Sequence, residues 1–355
     1  GDHRDLHSFP TRRSSDLRDL RAALILSLIL PALSFYISAR EVQRSSGTLA
    51  ASVFTTVLFM FYRRYTGLVM SEMLGISLGL LAFTLLWRYF KQRRRVWLIA
   101  GLGLLALALI ARLGAFFMLP LLLLWLAWEC RKNGWPIFKT LALAVVVMGL
   151  AFVINRLVYG IVAEPGARSN PQFTFHLYAL VTGGGYWGDL LSRHSELNAL
   201  QGNAYLWRAL QISWEYFVQH PADLLLGIYR DFLAYFSDPI RGEFSYIDGS
   251  NDTINLVFRL GLAALSMLGI ASLFKQEDSK RLFLWACIIG LLFSLPFVPP
   301  TATFKLRLMA STIWLEALLA ALGTTWLVSF LPRNLKTWNL KLPPVPQLNN
   351  VLVLL

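Results

Sequence analysis

The chain has 355 residues, 56% of them hydrophobic and 15% charged, with a formal net charge of +13 and a mean hydropathy of +0.54. Soluble domains carry about a quarter charged residues, so a soluble enzyme is excluded and a multipass membrane protein is expected. Cys130 and Cys287 are too few for a disulfide scaffold or a cysteine-built zinc site, and Lys and Arg gather at the ends of apolar runs, which excludes a nucleic-acid-binding face.

The first segment, residues 1–17, has neither an apolar core nor a cleavage site for a signal peptide. His7-Ser-Phe-Pro-Thr-Arg-Arg-Ser-Ser-Asp-Leu17 reads as the in-frame translation of a short-read sequencing adapter, which predicts that native sequence upstream is missing. From there an all-α polytopic transmembrane helix bundle of about nine spans is expected, at 22–38, 47–62, 67–87, 97–111, 113–128, 140–159, 254–274, 282–298 and 308–331. Several fall short of the roughly 20 residues that cross a ~30 Å core. The run from Trp97 to Trp128 could form one helix. It is split here because Arg112, Gly114 and Pro120 interrupt it, and a mid-membrane charge is disfavoured.

Orientation follows from the positive-inside rule. Arg88, Lys91, Arg93, Arg94 and Arg95 form the densest basic cluster and are expected in the cytoplasm. Alternation then places Arg40, Arg44, Arg131, Lys132, Lys139, Lys275, Lys280, Arg281, Arg333 and Lys336 on the same side. The resulting organisation is an N-terminal bundle (18–159), an outer segment (160–253), C-terminal spans (254–331) and a tail (332–355). Charges that break the trend are Arg63, Arg64, Glu72, Arg112, Lys305 and Arg307, from three outer turns but one depth. Each could snorkel to the headgroups, and convergence of such groups would instead mark a functional rim. Glu316 lies deeper in the last span and has no partner legible in the sequence.

The outer segment turns polar. Tyr205, Ala209, Ile212 and Tyr216 recur at helical spacing, and Ala222–Phe236 reads as an amphipathic helix on the membrane surface; its three charges, Asp223, Arg230 and Asp231, disfavour a tenth span. His176, His194 and His220 are too scattered for a metal pair, and His194-Ser-Glu196 fits a solvated loop better than a metal site. Gly183-Gly184-Gly185 lacks the lysine of a phosphate-cradling loop.

Several stretches resemble one family. Thr66-Gly-Leu-Val-Met-Ser71-Glu72-Met-Leu opens a span with a Ser/Thr-Glu-x-Leu pattern, Ala100-Gly101-Leu-Gly103-Leu-Leu-Ala runs toward Ala111-Arg112-Leu-Gly114, and Thr182-Gly-Gly-Gly-Tyr-Trp187, Arg193-His194 and His220-Pro221 follow in the outer segment. Pro299-Pro300-Thr-Ala-Thr-Phe-Lys305-Leu-Arg307-Leu-Met-Ala310 opens the last span. Together these resemble the GT-C superfamily of polytopic glycosyltransferases, in the branch similar to dolichyl-phosphate-mannose–protein mannosyltransferases and aminoarabinose transferases. The resemblance covers roughly Ala22 to Leu331. It implies inverting transfer of a sugar from a polyprenyl-phosphate donor to an acceptor hydroxyl outside the bacterial cytoplasmic (inner) membrane; no cofactor is assigned, and dependence on a divalent metal stays open. The family's general base is an acidic residue on the first outer loop; that region precedes residue 22, so no catalytic base is assigned and this chain alone is expected to be inactive.

The chemistry of such a donor suits the rim charges. Its anionic head must sit at the membrane edge with its tail in lipid, where cations can stabilise charge on the leaving phosphate. Arg112, Lys305 and Arg307 are the candidates for binding the donor phosphate, Glu72 the candidate for orienting them, and Arg63, Arg64 and His194 secondary candidates. The expected partners are the lipid-linked donor, the bilayer and an acceptor of lipid, glycan or protein. The alternatives are a polysaccharide polymerase or ligase using a lipid-pyrophosphate donor, and a lipid-linked sugar flippase, for which no internal repeat is visible.

Overall fold

The computed structural model describes residues 17–63, 65, 71–112, 114–162, 171–184, 188–237, 253–297 and 309–330. The chain is all-α, and no strand occurs among the described residues. In chain order the helices are α1 (Leu17–Tyr62), α2 (Ser71–Gln92), α3 (Arg95–Ala111), α4 (Met118–Lys132), α5 (Ile137–Val162), α6 (Pro171–Val181), α7 (Asp189–Arg193), α8 (Gly202–Gln219), α9 (Pro221–Ser237), α10 (Thr253–Ser272), α11 (Asp278–Ser294) and α12 (Ile313–Ser329).

The first helix is two arms. Gly47 leaves helical geometry at φ 89°, ψ 173°, a conformation open to glycine because it has no Cβ. The arms fold back on each other: Tyr62 Oη donates to the Ser27 carbonyl at 3.3 Å, and its ring meets Phe35 edge-on at 5.1 Å. In an unbroken helix residues 27 and 62 would lie roughly 50 Å apart. The division expected near residue 47 therefore holds.

The division of Trp97–Trp128 holds as well. α3 stops at Ala111, and Arg112 turns extended at φ −144°, ψ 105°. α4 starts afresh at Met118. Pro120 is its third residue, in the first turn, where the missing N–H removes no intrahelical bond.

Contacts fix how the helices run. Leu86 lies against Gly101 and Gly75 against Arg112, so α2 and α3 are antiparallel. α4 and α11 are antiparallel too, with Phe117 N bonded to Ser294 Oγ at one end and Trp125 Nε1 to the Ser279 carbonyl toward the other. α10 and α12 are parallel. Arg259 acts electrostatically on Glu316 near their starts, Gly269 and Gly323 bring the backbones together midway, and Lys275 lies over the Trp326 and Phe330 rings at their ends. The first arm of α1 is parallel to α2, since Ser38 meets Thr84 and Glu41 meets Arg88. Each of these directions agrees with the alternation read from the charges.

Among the described residues six helices are long and apolar enough to cross a membrane, counting both arms of α1 once: Leu24–Tyr62, Ser71–Gln92, Ile137–Val158, Leu256–Lys275, Asp278–Phe297 and Ala310–Ser329. The chain is thus an integral membrane protein. The expected nine crossings are not established by this criterion, because α3 with 17 residues and α4 with 15 are short, and the two arms of α1 count as one helix. α2 and α12 form the centre, where Phe83 stacks on Trp314 at 5.0 Å. α5 lies at the margin, with Val146, Leu150, Phe152 and Val153 exposed as a bilayer would require.

The outer segment forms a small helical lobe of its own. Tyr205, Ala209 and Ile212, three of the four positions of the stripe expected for α8, are buried together with Phe175, Tyr178, Leu190 and Leu197. The fourth, Tyr216, is half-buried with its hydroxyl donating to Asp223 at 3.1 Å. α9 also forms where expected, at Pro221–Ser237. Its Gly227 packs on the Leu180 carbonyl so closely that an added Cβ would sit 2.0 Å from the oxygen. The lobe reaches the bundle at the end of α11, where His176 Nε2 donates to the Pro296 carbonyl at 3.1 Å.

Candidate functional site

Glu72 and Arg112 come together. Glu72 stands in the first turn of α2, where a carboxylate complements the helix dipole. Arg112 caps the antiparallel α3. Because Gly75 has no side chain, α3 closes onto α2 there; a Cβ on Gly75 would stand 2.9 Å from Arg112 Cβ. That approach brings the Arg112 guanidinium within 3.2 Å of Glu72 Oε1, with the side chains 13% and 1% exposed. Ser71 Oγ adds a contact to Glu72 Oε2 at 3.4 Å. An ion pair this buried has given up most of its hydration, so removing either partner strands the other.

A third piece of chain closes on the same point. Ser311 Oγ donates to the Arg112 carbonyl at 3.2 Å, and the Ser311 backbone covers Gly79 of α2. Two of the four principal rim residues are thereby joined, and the segment leading into α12 reaches them. Lys305 and Arg307 lie outside the described residues, as does Arg64. Arg63 is half-buried just beyond α1, its backbone N–H bonded to the Phe59 carbonyl at 2.9 Å. Tyr65 follows, buried with its ring against Phe61.

His194 belongs to the lobe. Its Nε2 is 3.2 Å from Tyr178 Oη and its Nδ1 3.5 Å from Glu196, the loop pairing expected from sequence. No group of three His, Cys, Asp or Glu side chains gathers as a metal-binding cluster among the described residues.

Three arrangements had no clear sequence signal. Glu316, which has no partner legible in the sequence, faces Arg259 from the parallel helix α10. At the opposite end of the bundle from Glu72, Glu129 is fully buried and serves four side chains. Tyr89 Oη donates to Oε1, which also accepts from Asn133 Nδ2 at 2.9 Å and lies 3.3 Å from Arg93; Ser279 Oγ donates to Oε2 at 2.6 Å. Arg93 continues to Glu277, so α2, α4 and α11 are tied at one level. The third is His176, buried where lobe and bundle meet, 3.9 Å from Asp231. Burial holds its pKa down at about 4 from the ordinary 6.5, so the ring is neutral and carries its proton on Nε2 toward Pro296.

No protein-family model, curated protein or solved structure matches this chain.

Proposed function

We propose that the chain is a membrane glycosyltransferase that moves a sugar from a polyprenyl-phosphate donor to an acceptor hydroxyl on the outer face of a bacterial cytoplasmic membrane. The reading takes α3, α4 and each arm of α1 as crossings, nine in all, with the Glu129 end in the cytoplasm. The observation that carries it is the buried Glu72–Arg112 pair at the rim, reached by the segment that follows Arg307 by four residues. An arginine held there at 13% exposure is costly to maintain, and an anionic headgroup at the membrane edge is the substrate that needs it.

In this reading Arg112 binds the donor phosphate, with Lys305 and Arg307 supplying further charge, while Glu72 holds the guanidinium in register. The C1–phosphate bond breaks as the acceptor oxygen bonds C1 from the opposite face. The hydroxyl proton goes to a carboxylate base outside the residues named here, and the leaving charge develops against Arg112.

Retention of radiolabelled polyprenyl phosphate by the purified protein tests the site without requiring turnover. Arg112→Gln is expected to weaken retention by at least about ten-fold, and Arg112→Lys to lose less because it keeps the charge without the planar fork. Wild-type retention by folded Arg112→Gln protein would remove Arg112 from the site. In membranes that transfer sugar, the same substitution is expected to lower transfer by roughly 10²–10³.

A further inference from the structure

Cations at the Glu129 end fall into two groups. Arg44 and Arg88 pair with Glu41, Arg93 with Glu129 and Glu277, and Arg281 with Asp278. By contrast Arg40, Lys91, Lys275 and Lys280 form no ion pair with any described residue, but they are spread over α1, α2, the turn just past α10, and α11. Arg94, Arg95, Arg131, Lys132 and Lys139 are exposed, likewise unpaired among the described residues, and close together along the chain's turns. They sit at the start of α3, the end of α4 and the start of α5.

This corner is built rather than merely charged. The turn between α4 and α5 is closed by Trp135 N–H donating to the Cys130 carbonyl at 2.8 Å, and the Arg95 guanidinium lies over the Trp135 ring at 4.7 Å. Lys132 Nζ lies over Trp128 at 5.2 Å. Indole faces hold a cation in place without neutralising it, so both remain available to an anion. Next to them α5 is the least buried of the candidate spans, at 17%, and Phe138, beside Lys139, is 88% exposed.

We propose that this corner binds an anionic phospholipid carrying two phosphates in its headgroup, with the phosphates on the α3–α4–α5 cations and the acyl chains along α5. Five unneutralised cations exceed what one phosphodiester balances, and the apolar wall begins where the charges end. Tryptophans at this level are the usual mark of the headgroup region, and basic pockets between helices at the cytoplasmic edge favour such lipids. The assignment is independent of the rim at Glu72 and Arg112.

Native mass spectrometry of the whole chain, titrated with diphosphatidylglycerol, phosphatidylglycerol or phosphatidylcholine, tests it. One diphosphatidylglycerol per chain is expected, bound more tightly than phosphatidylglycerol and not displaced by inorganic pyrophosphate. The triple variant Arg95→Gln, Lys132→Gln, Lys139→Gln is expected to bind it roughly a hundred-fold more weakly. Lys275→Gln, which removes a cation seated over Trp326 and Phe330 instead, is expected to bind as wild type. Unchanged binding by a triple variant with a wild-type melting curve would overturn the proposal. So would displacement by pyrophosphate, which would make the site one for a soluble anion. Lipid-free dimers through α5 would overturn it too, by assigning that face to a second copy.

Discussion

At the scale of single residues, the strongest polar anchor among the described residues was not the one the sequence advertised. Glu72 and Arg112 stood out because they broke the charge trend, and they do meet. Glu129 was hidden: an acid between Trp128 and Cys130, next to Arg131 and Lys132, reads as an ordinary solvated helix end. Only the packing of α2 and α11 against α4 reveals that Tyr89, Asn133, Ser279 and Arg93 all converge on it. Removing the carboxylate leaves the buried Tyr89 and Ser279 hydroxyls without their acceptor and Arg93 with Glu277 alone. Glu129→Ala is therefore expected to destabilise the protein by about 3–5 kcal/mol. Glu129→Gln, which keeps one oxygen acceptor for Tyr89 or Ser279 and places an N–H donor where the other oxygen stood, is expected to cost less. Reversible unfolding in mixed micelles measures both, and equal losses for the two variants would show that volume rather than hydrogen bonding matters there.

Among whole elements, boundaries were legible wherever a residue forces the backbone, and associations were not. Gly47 divides α1 because it alone takes positive φ in that stretch, and α3 ends where Arg112 turns extended and pairs with Glu72. Crossing counts were less legible, since length and hydropathy measure single helices and α3 and α4 are short. Which helices touch depends on small residues whose role is silent in sequence. Gly79 shows this well: a Cβ there would lie 1.9 Å from the Ser311 carbonyl oxygen, a backbone atom that cannot step aside. Gly79→Ala is expected to push the start of α12 away from α2 and to lower stability by about 1–3 kcal/mol. Gly149→Ala, on the exposed side of α5 with nothing within 4 Å, is expected to be neutral or mildly stabilising. Melting temperatures of the pair decide the point; a harmless Gly79→Ala would mean that contact is loose.

Across the whole molecule, the open question is how the lobe is held to the bundle, and one contact answers much of it. His176 reaches from α6 to the Pro296 carbonyl at the end of α11, while α9 brings Asp231 to 3.9 Å from the same nitrogen. The hydrogen bond to Pro296 works against the shift, yet burial outweighs it and lowers the histidine to about 4. The sign follows directly. Undocked, the ring takes up a proton near its ordinary 6.5; docked, it resists until about 4, so the undocked form binds more protons in between. Docking is then complete above pH 6.5 and loses stability as pH falls toward 4, by up to roughly 3 kcal/mol. Hydrogen exchange in α6 and α9 should accelerate across that window, after correction for intrinsic rates, more than exchange in α2 and α12. His176→Gln keeps a donor for Pro296 but does not titrate, so its lobe should lose this part of the pH response. If the variant's lobe loosened with acid as the wild type's does, another group would have to be the one that titrates.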